Sequence, residues 1–496
     1  MAELVVAQFV MPSEERVEAS FPDRQSDFFW YSINSDWGTA ASTGVTMFKQ
    51  LVKISVNLVQ RYLPDPFLFC IILTLLVFVG GIFMTGQGPL AMVVHWNNGF
   101  WSLLTFSMQM VLVLVTGHTL AKAPIMQMAL RALSKPANTP AKAIIFVNFF
   151  SSVACLLNWG FGLVVGALYA RQLAKDVKGV DYRLLIASAY AGFLVWHGGI
   201  SGSIPLTLAT ASPDLAKITM GVVTSPIPTS STIFSGFNLV IVFVLLITVP
   251  FLCMFMHPDK QSTVTVDPLI LKEKEPEVTP ANKINSPANW MENSPLFSML
   301  IGLMGLLFIT NYFYQSGFEL NLNIVNFIFL FAGIILHGTP RRFLDAIADA
   351  TKGASGIILQ FPFYAGIMGM MTGVNAEGIS SAILMSNWFV DISTAATYPL
   401  FTFLSAGLVN FFVPSGGGHW AVQAPIMMPA GAELGVPAVK TAMAIAWGDA
   451  WADMIQPFWA LPALAIAGLG ARDIMGYCLV IMIYSGFIIG IGLTFL

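Results

Sequence analysis

The sequence predicts an all-α polytopic membrane protein built from two inverted repeats, each holding a re-entrant helical hairpin and a broken transmembrane helix. Three observations carry that prediction. Only 10% of the 496 residues are charged and 56% are hydrophobic, whereas a soluble domain carries about 25% charged residues. Apolar windows of about 20 residues, long enough to cross a bilayer, recur along the chain. The order of these windows in the first half returns in the second.

Residues 1–65 are expected to form a cytoplasmic segment without a signal peptide, because no basic n-region precedes an apolar core and cleavage site. Within it, residues 44–63 place Lys49, Lys53, Asn57 and Arg61 on one helical face and Phe48, Leu51, Val52, Val59 and Leu63 on others. That pattern predicts an amphipathic helix resting on membrane lipid. The first repeat, 66–256, reads as span 66–85, span 99–121, hairpin 142–171, interrupted span 183–210 and span 232–256. Residues 257–293 are a polar cytoplasmic linker, charged and containing Pro and Asn. The segment 294–321 holds one extra span, 294–313. The second repeat, 322–496, reads as spans 322–338 and 354–374, hairpin 396–430, interrupted span 437–469 and span 473–495. About nine crossings plus the two hairpins result.

Charge placement orients the chain. Lys122, Arg131, Lys135 and Lys142 precede the first hairpin and Arg171, Lys175, Lys178 and Arg183 follow it, while the second hairpin has no basic flank until Lys440. Because Lys and Arg collect on the cytoplasmic side, the first hairpin enters from the cytoplasm and the second from outside. With the N-terminus inside, all of the 23 basic residues except Lys217 and Lys440 then lie on the cytoplasmic side. Gly81 and Gly117 pair with Gly333 and Gly369 at one offset; Gly160, Gly162 and Gly192 pair with Gly416, Gly418 and Gly448 at another. Four crossings per half and one span between them make the halves inverted, a design that places a binding site near the bilayer midplane.

Unwound backbone inside a membrane is tolerated where it is buried in protein or lines a wet cavity. Four such places are legible. Two are the hairpin tips: Asn158, Trp159, Gly160 and Gly162 in the first, Ser415, Gly416, Gly417, Gly418 and His419 in the second. The others are the helix breaks, with His197, Ser201 and Ser203 in one and Asp449, Asp453 and Gln456 in the other. Half-helix N-termini present free N–H groups and a positive dipole end to an anion, and the glycines and serines admit a carboxylate closely. Arg and Lys lie only near the ends of the spans and hairpins and none at mid-depth, which favours a monocarboxylate over a dicarboxylate. Asp449 and Asp453, one turn apart, share a helix face. At this depth a carboxylate marks an ion path: with His197 nearby, the pair either coordinates Na⁺ with free carbonyls or accepts a proton. Trp159, Trp196, Trp420, Trp447, Trp451 and Trp459 are candidates for an apolar sleeve around an alkyl chain. Gln109 and Gln360 read as helix–helix hydrogen bonds, and His118 as packing.

Other classes are excluded. A net charge of −3 leaves no basic face for nucleic acid. Cys70, Cys155, Cys253 and Cys478 lie far apart without a C-x-x-C, so neither a disulfide framework nor a zinc site is expected. The chain lacks a P-loop, an H-E-x-x-H and a G-x-S-x-G, and Gly160-Phe161-Gly162 with Gly166 is one residue too long for a dinucleotide fingerprint. Neither an enzyme nor a resident cofactor is expected. A C4-dicarboxylate carrier or exchanger is the alternative, and an anion channel is the rival from another class.

Three motifs carry a family resemblance: Trp196-His197-Gly198-Gly199-Ile200-Ser201-Gly202-Ser203, Pro414-Ser415-Gly416-Gly417-Gly418-His419-Trp420, and Gly448-Asp449-Ala450-Trp451-Ala452-Asp453-Met454-Ile455-Gln456-Pro457. At these residues the chain, from about residue 45 onward, resembles the bacterial short-chain fatty acid transporters of the AtoE type. The resemblance implies cation-coupled uptake of short monocarboxylates such as butyrate or acetoacetate across the bacterial inner membrane. It also implies kinship with a wider superfamily of anion carriers that have inverted repeats, two re-entrant hairpins and often a homodimeric, elevator-type mechanism.

Overall fold

The computed structural model describes residues 66–266 and 286–496. The predicted amphipathic helix at 44–63 and the middle of the linker lie outside them. Every regular element among the described residues is helical. The first half holds α1 (Pro66–Thr85), α2 (Pro89–Phe100), α3 (Leu104–Ala121), α4 (Pro124–Ser134) and α5 (Pro140–Leu157). It continues with α6 (Trp159–Asp176), α7 (Tyr182–Ala191), α8 (Ser203–Ala209), α9 (Asp214–Ile218) and α10 (Gly236–Phe255). Two helices, α11 (Pro287–Asn293) and α12 (Pro295–Ser316), precede the second half. That half holds α13 (Leu322–His337), α14 (Pro340–Ala350), α15 (Ser355–Thr372), α16 (Ser381–Ile392) and α17 (Tyr398–Phe412). It ends with α18 (Gly416–Glu433), α19 (Ala438–Ala452), α20 (Pro457–Ala467) and α21 (Ala471–Phe495). Among the described residues, 7 helical runs are long and apolar enough to cross a membrane.

Helix starts are written in the sequence. Thr139, Ser294 and Thr339 each accept a hydrogen bond from a backbone N–H of the first turn, and each is followed by Pro at the first helical position. Both devices fix helix N-termini, since the capped N–H would otherwise be unpaired and Pro has none to lose. Burial then sorts the helices. α7 is buried along its length, while α12 buries only Ser298, Gly302 and Gly305, the two glycines lying against Ile335 and Phe331 of α13.

The expected span 99–121 starts later than its hydropathy suggests. The chain turns at residues 101–103, and 89–100 forms a separate helix, α2. Gly99 of α2 meets Gly369 of α15 backbone to backbone, so that a Cβ at either would strike main-chain atoms. That close approach holds α2 against α15 instead of letting it continue into α3. Hydropathy cannot register the turn, because apolar residues flank it on both sides. The short helices α4, α14 and α16 also fall between the windows that the sequence delimits.

Element order repeats more fully than the sequence alone shows. α1 through α8 and α10 correspond in order to α13 through α21, and the two tip-bearing helices, α6 and α18, are each 18 residues long. Contacts exchange between the halves as well. α1 lies on α15, where Cys70 Sγ meets the carbonyl of Gln360 at 3.9 Å. Equivalently, α13 lies on α3, where Gln109 Nε2 donates to Asn323 Oδ1 at 2.8 Å and Asn326 Nδ2 to the Gln109 carbonyl at 2.9 Å. Gly81 is nearest Met92 of α2 and Gly333 is nearest Phe343 of α14, equivalent neighbours; Gly192 packs on α5 and Gly448 on α17. The pair Gly117 and Gly369 does different work: Gly117 packs on Asn158 and Phe161, whereas Gly369 packs on α2.

Candidate functional site

Each tip is a pair of helices folded back on one another. In α5 and α6, Gly162 lies on Cys155 and Gly166 on Ser151, and the rings of Phe150 and Tyr169 meet at 5.9 Å. Rising numbers on one helix meet falling numbers on the other, so the two run antiparallel. In α17 and α18, Tyr398 donates to the Met427 carbonyl at 2.6 Å and Gln423 Nε2 to Ser405 Oγ at 2.9 Å, which gives the same sense.

The turns are capped alike. Asn158 accepts from Phe161 N at 2.9 Å, and Ser415 from Gly418 N at 3.4 Å. Asn158 also donates to the Val113 carbonyl of α3 at 3.2 Å, so its amide is engaged by backbone on both sides. Ser201, in the first break, accepts from Trp159 N at 2.9 Å. Gly160 lies against Leu114 of α3. Ser203 begins α8 and is buried there.

The broken helices converge on these tips. Between α7 and α8 the chain tightens into a 3₁₀ turn, Gly192–Gly198; after α19 it does so at Asp453–Ile455. Gly416 lies so close to His197 Nε2 and the Trp196 ring that a methyl group would not fit. Gly417 faces Phe106 and Phe361, and Gly418 the Tyr364 ring. The Trp196 ring lies 5.8 Å from that of Trp159, and the Trp159 ring 5.2 Å from that of Trp459. Trp196-His197 is thus the piece of chain between the two tips.

Asp449 and Asp453, both fully buried, sit at the centre. His197 Nε2 is 3.0 Å from Asp449 Oδ2, and His419 Nδ1 is 2.7 Å from Asp449 Oδ1. Asn410 Nδ2 donates to both carboxylates, at 2.8 Å to Asp449 Oδ1 and 3.1 Å to Asp453 Oδ1. Trp196 Nε1 donates to Asp453 Oδ2 at 3.1 Å. The Tyr190 hydroxyl donates to the Asp453 carbonyl at 2.5 Å, and Gln456 Nε2 to the Phe411 carbonyl at 3.4 Å. Burying a bare carboxylate costs several kcal/mol, offset only by close donors. Here α17, α18 and the first break supply those donors to α19.

All four carboxylate oxygens are met by N–H or imidazole nitrogen rather than by the oxygens that a hard cation prefers. The hydrogen-bond partners of the two carboxylates include no Lys or Arg. Buried polar atoms without a partner among the described residues crowd the same region: His197 Nδ1, Asn410 Oδ1, Trp159 Nε1 and Trp420 Nε1. Such atoms are rare in folded interiors, and each calls for an explanation. A recess of about 200 Å³ is lined by Thr105, Gln109, Thr207, Thr210, Asp214 and Phe106, and the Phe106 ring also faces Gly417.

Asn410, Ser405, Gln423 and Tyr190 escape the sequence reading. Each is a lone polar residue in an apolar helix, and such a residue is more often a packing group. Two of the six tryptophans spend their indole N–H outside the site: Trp447 packs on Gly198 of the first break and donates to Asn238 Oδ1 at 3.1 Å, and Trp451 donates to the Met482 carbonyl at 2.6 Å. His118 lies in the last turn of α3, where neighbouring Lys122 pairs with Asp349.

Residues 47–496 match the sequence profile described as "Short chain fatty acid transporter". The chain belongs to this family. A protein of Escherichia coli K12 named "Putative short-chain fatty acid transporter" is 45% identical over 448 residues, covering 90% of this chain and 100% of its own length. One of the same name from Haemophilus influenzae is 43% identical over 456 residues, covering 91% of this chain and 100% of its own. The structure of the Alcanivorax borkumensis YdaH transporter shares the fold, at 16% identity and a TM-score of 0.51, with 87% of this chain and 97% of that one covered. The chain is therefore a multi-pass membrane transporter and not an enzyme.

Proposed function

We propose that this member of the short-chain fatty acid transporter family carries short monocarboxylates such as butyrate or acetoacetate across the bacterial inner membrane, coupled to a cation gradient. The observation that carries this reading is the meeting of the second helix tip and both helix breaks around Asp449 and Asp453, with the first tip against Trp196, bordered by unpartnered polar atoms of His197, Asn410, Trp159 and Trp420. The repeats are inverted in the membrane, with nine crossings, the two antiparallel helix pairs re-entering from opposite faces and the N-terminus in the cytoplasm. One unit bearing both tips moves against the rest in an elevator-like step, and two copies assemble as a homodimer; the resemblance to anion carriers supports both. A single carboxylate suits a site whose donors are amides, indoles and imidazoles, because a second carboxylate would find no fixed cation.

Reconstitution of the full chain in liposomes tests this. Labelled butyrate is expected to show counterflow, with uptake stimulated by unlabelled butyrate inside, and labelled succinate is not. Succinate transported in place of butyrate would turn the reading to dicarboxylates. Butyrate flux without trans-stimulation would make the protein a channel.

A further inference from the structure

The hydrogen bonds around His419 run in one chain, from Thr402 through Ser405 and Gln423 to the ring and on to Asp449. Ser405 Oγ donates to the Thr402 carbonyl at 2.9 Å and accepts from Gln423 Nε2 at 2.9 Å. That orientation turns the carbonyl oxygen of Gln423 toward His419 Nε2, 2.5 Å away. On the other side of the ring, His419 Nδ1 faces Asp449 Oδ1 at 2.7 Å. An amide carbonyl and an ionised carboxylate only accept. A neutral imidazole has one N–H, so it cannot satisfy acceptors at both nitrogens. The arrangement is consistent when the Asp449–His419 pair carries one additional hydrogen, either as imidazolium and carboxylate or as neutral imidazole and carboxylic acid. Without that hydrogen the amide must turn over: its NH₂ then donates to Nε2, and Ser405 leaves Thr402 to donate to the amide oxygen.

We propose that the coupling ion is a proton, held jointly by Asp449 and His419, and that Gln423 turns over as it arrives and leaves. This rests on the carrier reading above. One hydrogen ion from the outer water joins the pair with no covalent bond of the protein broken, only the hydrogen bonds of Gln423 and Ser405 exchanged, and the same hydrogen ion leaves on the inner side. Proton and monocarboxylate together move no net charge. Four titratable groups surround the pair. His197 touches the other oxygen of Asp449, Asp453 lies one turn on and shares Asn410, Tyr190 binds the Asp453 carbonyl and the Tyr364 ring faces Gly418. Gln423 also lines an apolar cleft of about 260 Å³ between α1 and α18.

The test uses the full chain in liposomes with the membrane potential clamped and protein-free vesicles subtracted. Butyrate counterflow at equal pH on both sides comes first; its absence removes the carrier reading itself. Net butyrate uptake is then followed across pH in choline medium without Na⁺. It is expected to persist, to fall on the alkaline side, and in Gln423→Glu to hold to higher pH by about one unit. The sign follows because a carboxylate beside Nε2 favours the protonated ring. Counterflow with a net uptake that needs Na⁺ and ignores pH overturns the proton assignment and leaves the carrier intact. So does a Gln423→Glu variant that is slower at every pH without displacement. Should that variant fail to insert, ¹⁵N-histidine NMR of the unaltered chain decides. A hydrogen on Nε2 of His419, its signal assigned by loss in His419→Gln, is expected to come and go as the pH is lowered and raised; a hydrogen on Nδ1 alone at every pH overturns the proposal.

Discussion

Asp449 is the side chain on which the candidate site converges. Its two oxygens receive three nitrogen partners, from His197, His419 and Asn410, so this one carboxyl group ties together three separate pieces of chain. Asp449→Asn replaces one acceptor by a donor that faces those partners. One charge-assisted hydrogen bond contributes about 1.5–3 kcal/mol, so uptake of labelled butyrate is expected to fall at least about tenfold. Ser415→Ala acts differently. It removes the N-cap of α18, an effect of about 1 kcal/mol, and is expected to slow uptake a few-fold with membrane insertion unchanged. Asp453→Asn, which keeps one acceptor for Trp196 or Asn410, is expected to impair uptake without preventing insertion. Normal kinetics in both Ser415→Ala and Asp453→Asn would show that the site lies elsewhere.

The antiparallel pair α5 and α6 is the informative unit at the scale of the element. Its interface is made by small residues, with Gly162 against the Cys155 backbone and Gly166 against Ser151, as close helix contacts in membranes require. Gly162→Ala places a methyl group on main-chain atoms that cannot rotate away. Overpacking of that kind costs about 1–3 kcal/mol. The midpoint of thermal unfolding in detergent is expected to fall, and Cys155, buried in the native protein, is expected to react with a thiol dye at a lower temperature. An unchanged midpoint would mean that the pair opens readily. The same logic explains which helices the sequence could delimit. A long apolar run such as α10 or α21 declares itself, whereas the turn between α2 and α3 is set by a contact with α15 that no local window contains.

Two matched sets of helices, exchanged by their contacts, define the whole molecule. α1 rests on α15 as α13 rests on α3, so each half completes the other. If the halves are inverted across the membrane, the loop after α6 and the loop after α18 open to opposite sides. Lys178 and Glu433 are exposed at those loops, and the four native cysteines are buried, which leaves a quiet background for labelling. Lys178→Cys is expected to react with an impermeant maleimide from the cytoplasmic face only, and Glu433→Cys from the opposite face only. Reaction of both from one face would reject the inversion.

Composition and hydropathy alone determined that the chain is helical and membrane-embedded, because the cost of burying charge and unpaired backbone in lipid acts on each segment by itself. Local chemistry also marked the places where helices break, through Gly, Pro, Ser and Asn in otherwise apolar runs. Asp449, Asp453, His197 and His419 stood out for the same reason, as ionisable groups at depth. Which of them touch was decided only in three dimensions. Asn410 and Gln423 are ordinary polar residues along their own helices and acquire a role only where α17, α18 and α19 meet. Trp447 and Trp451, adjacent to the break in sequence, are turned toward α10 and α21 by packing partners far along the chain. A hydrogen bond depends on position and direction to a fraction of an ångström, and that is fixed by the assembled core rather than by any stretch of sequence.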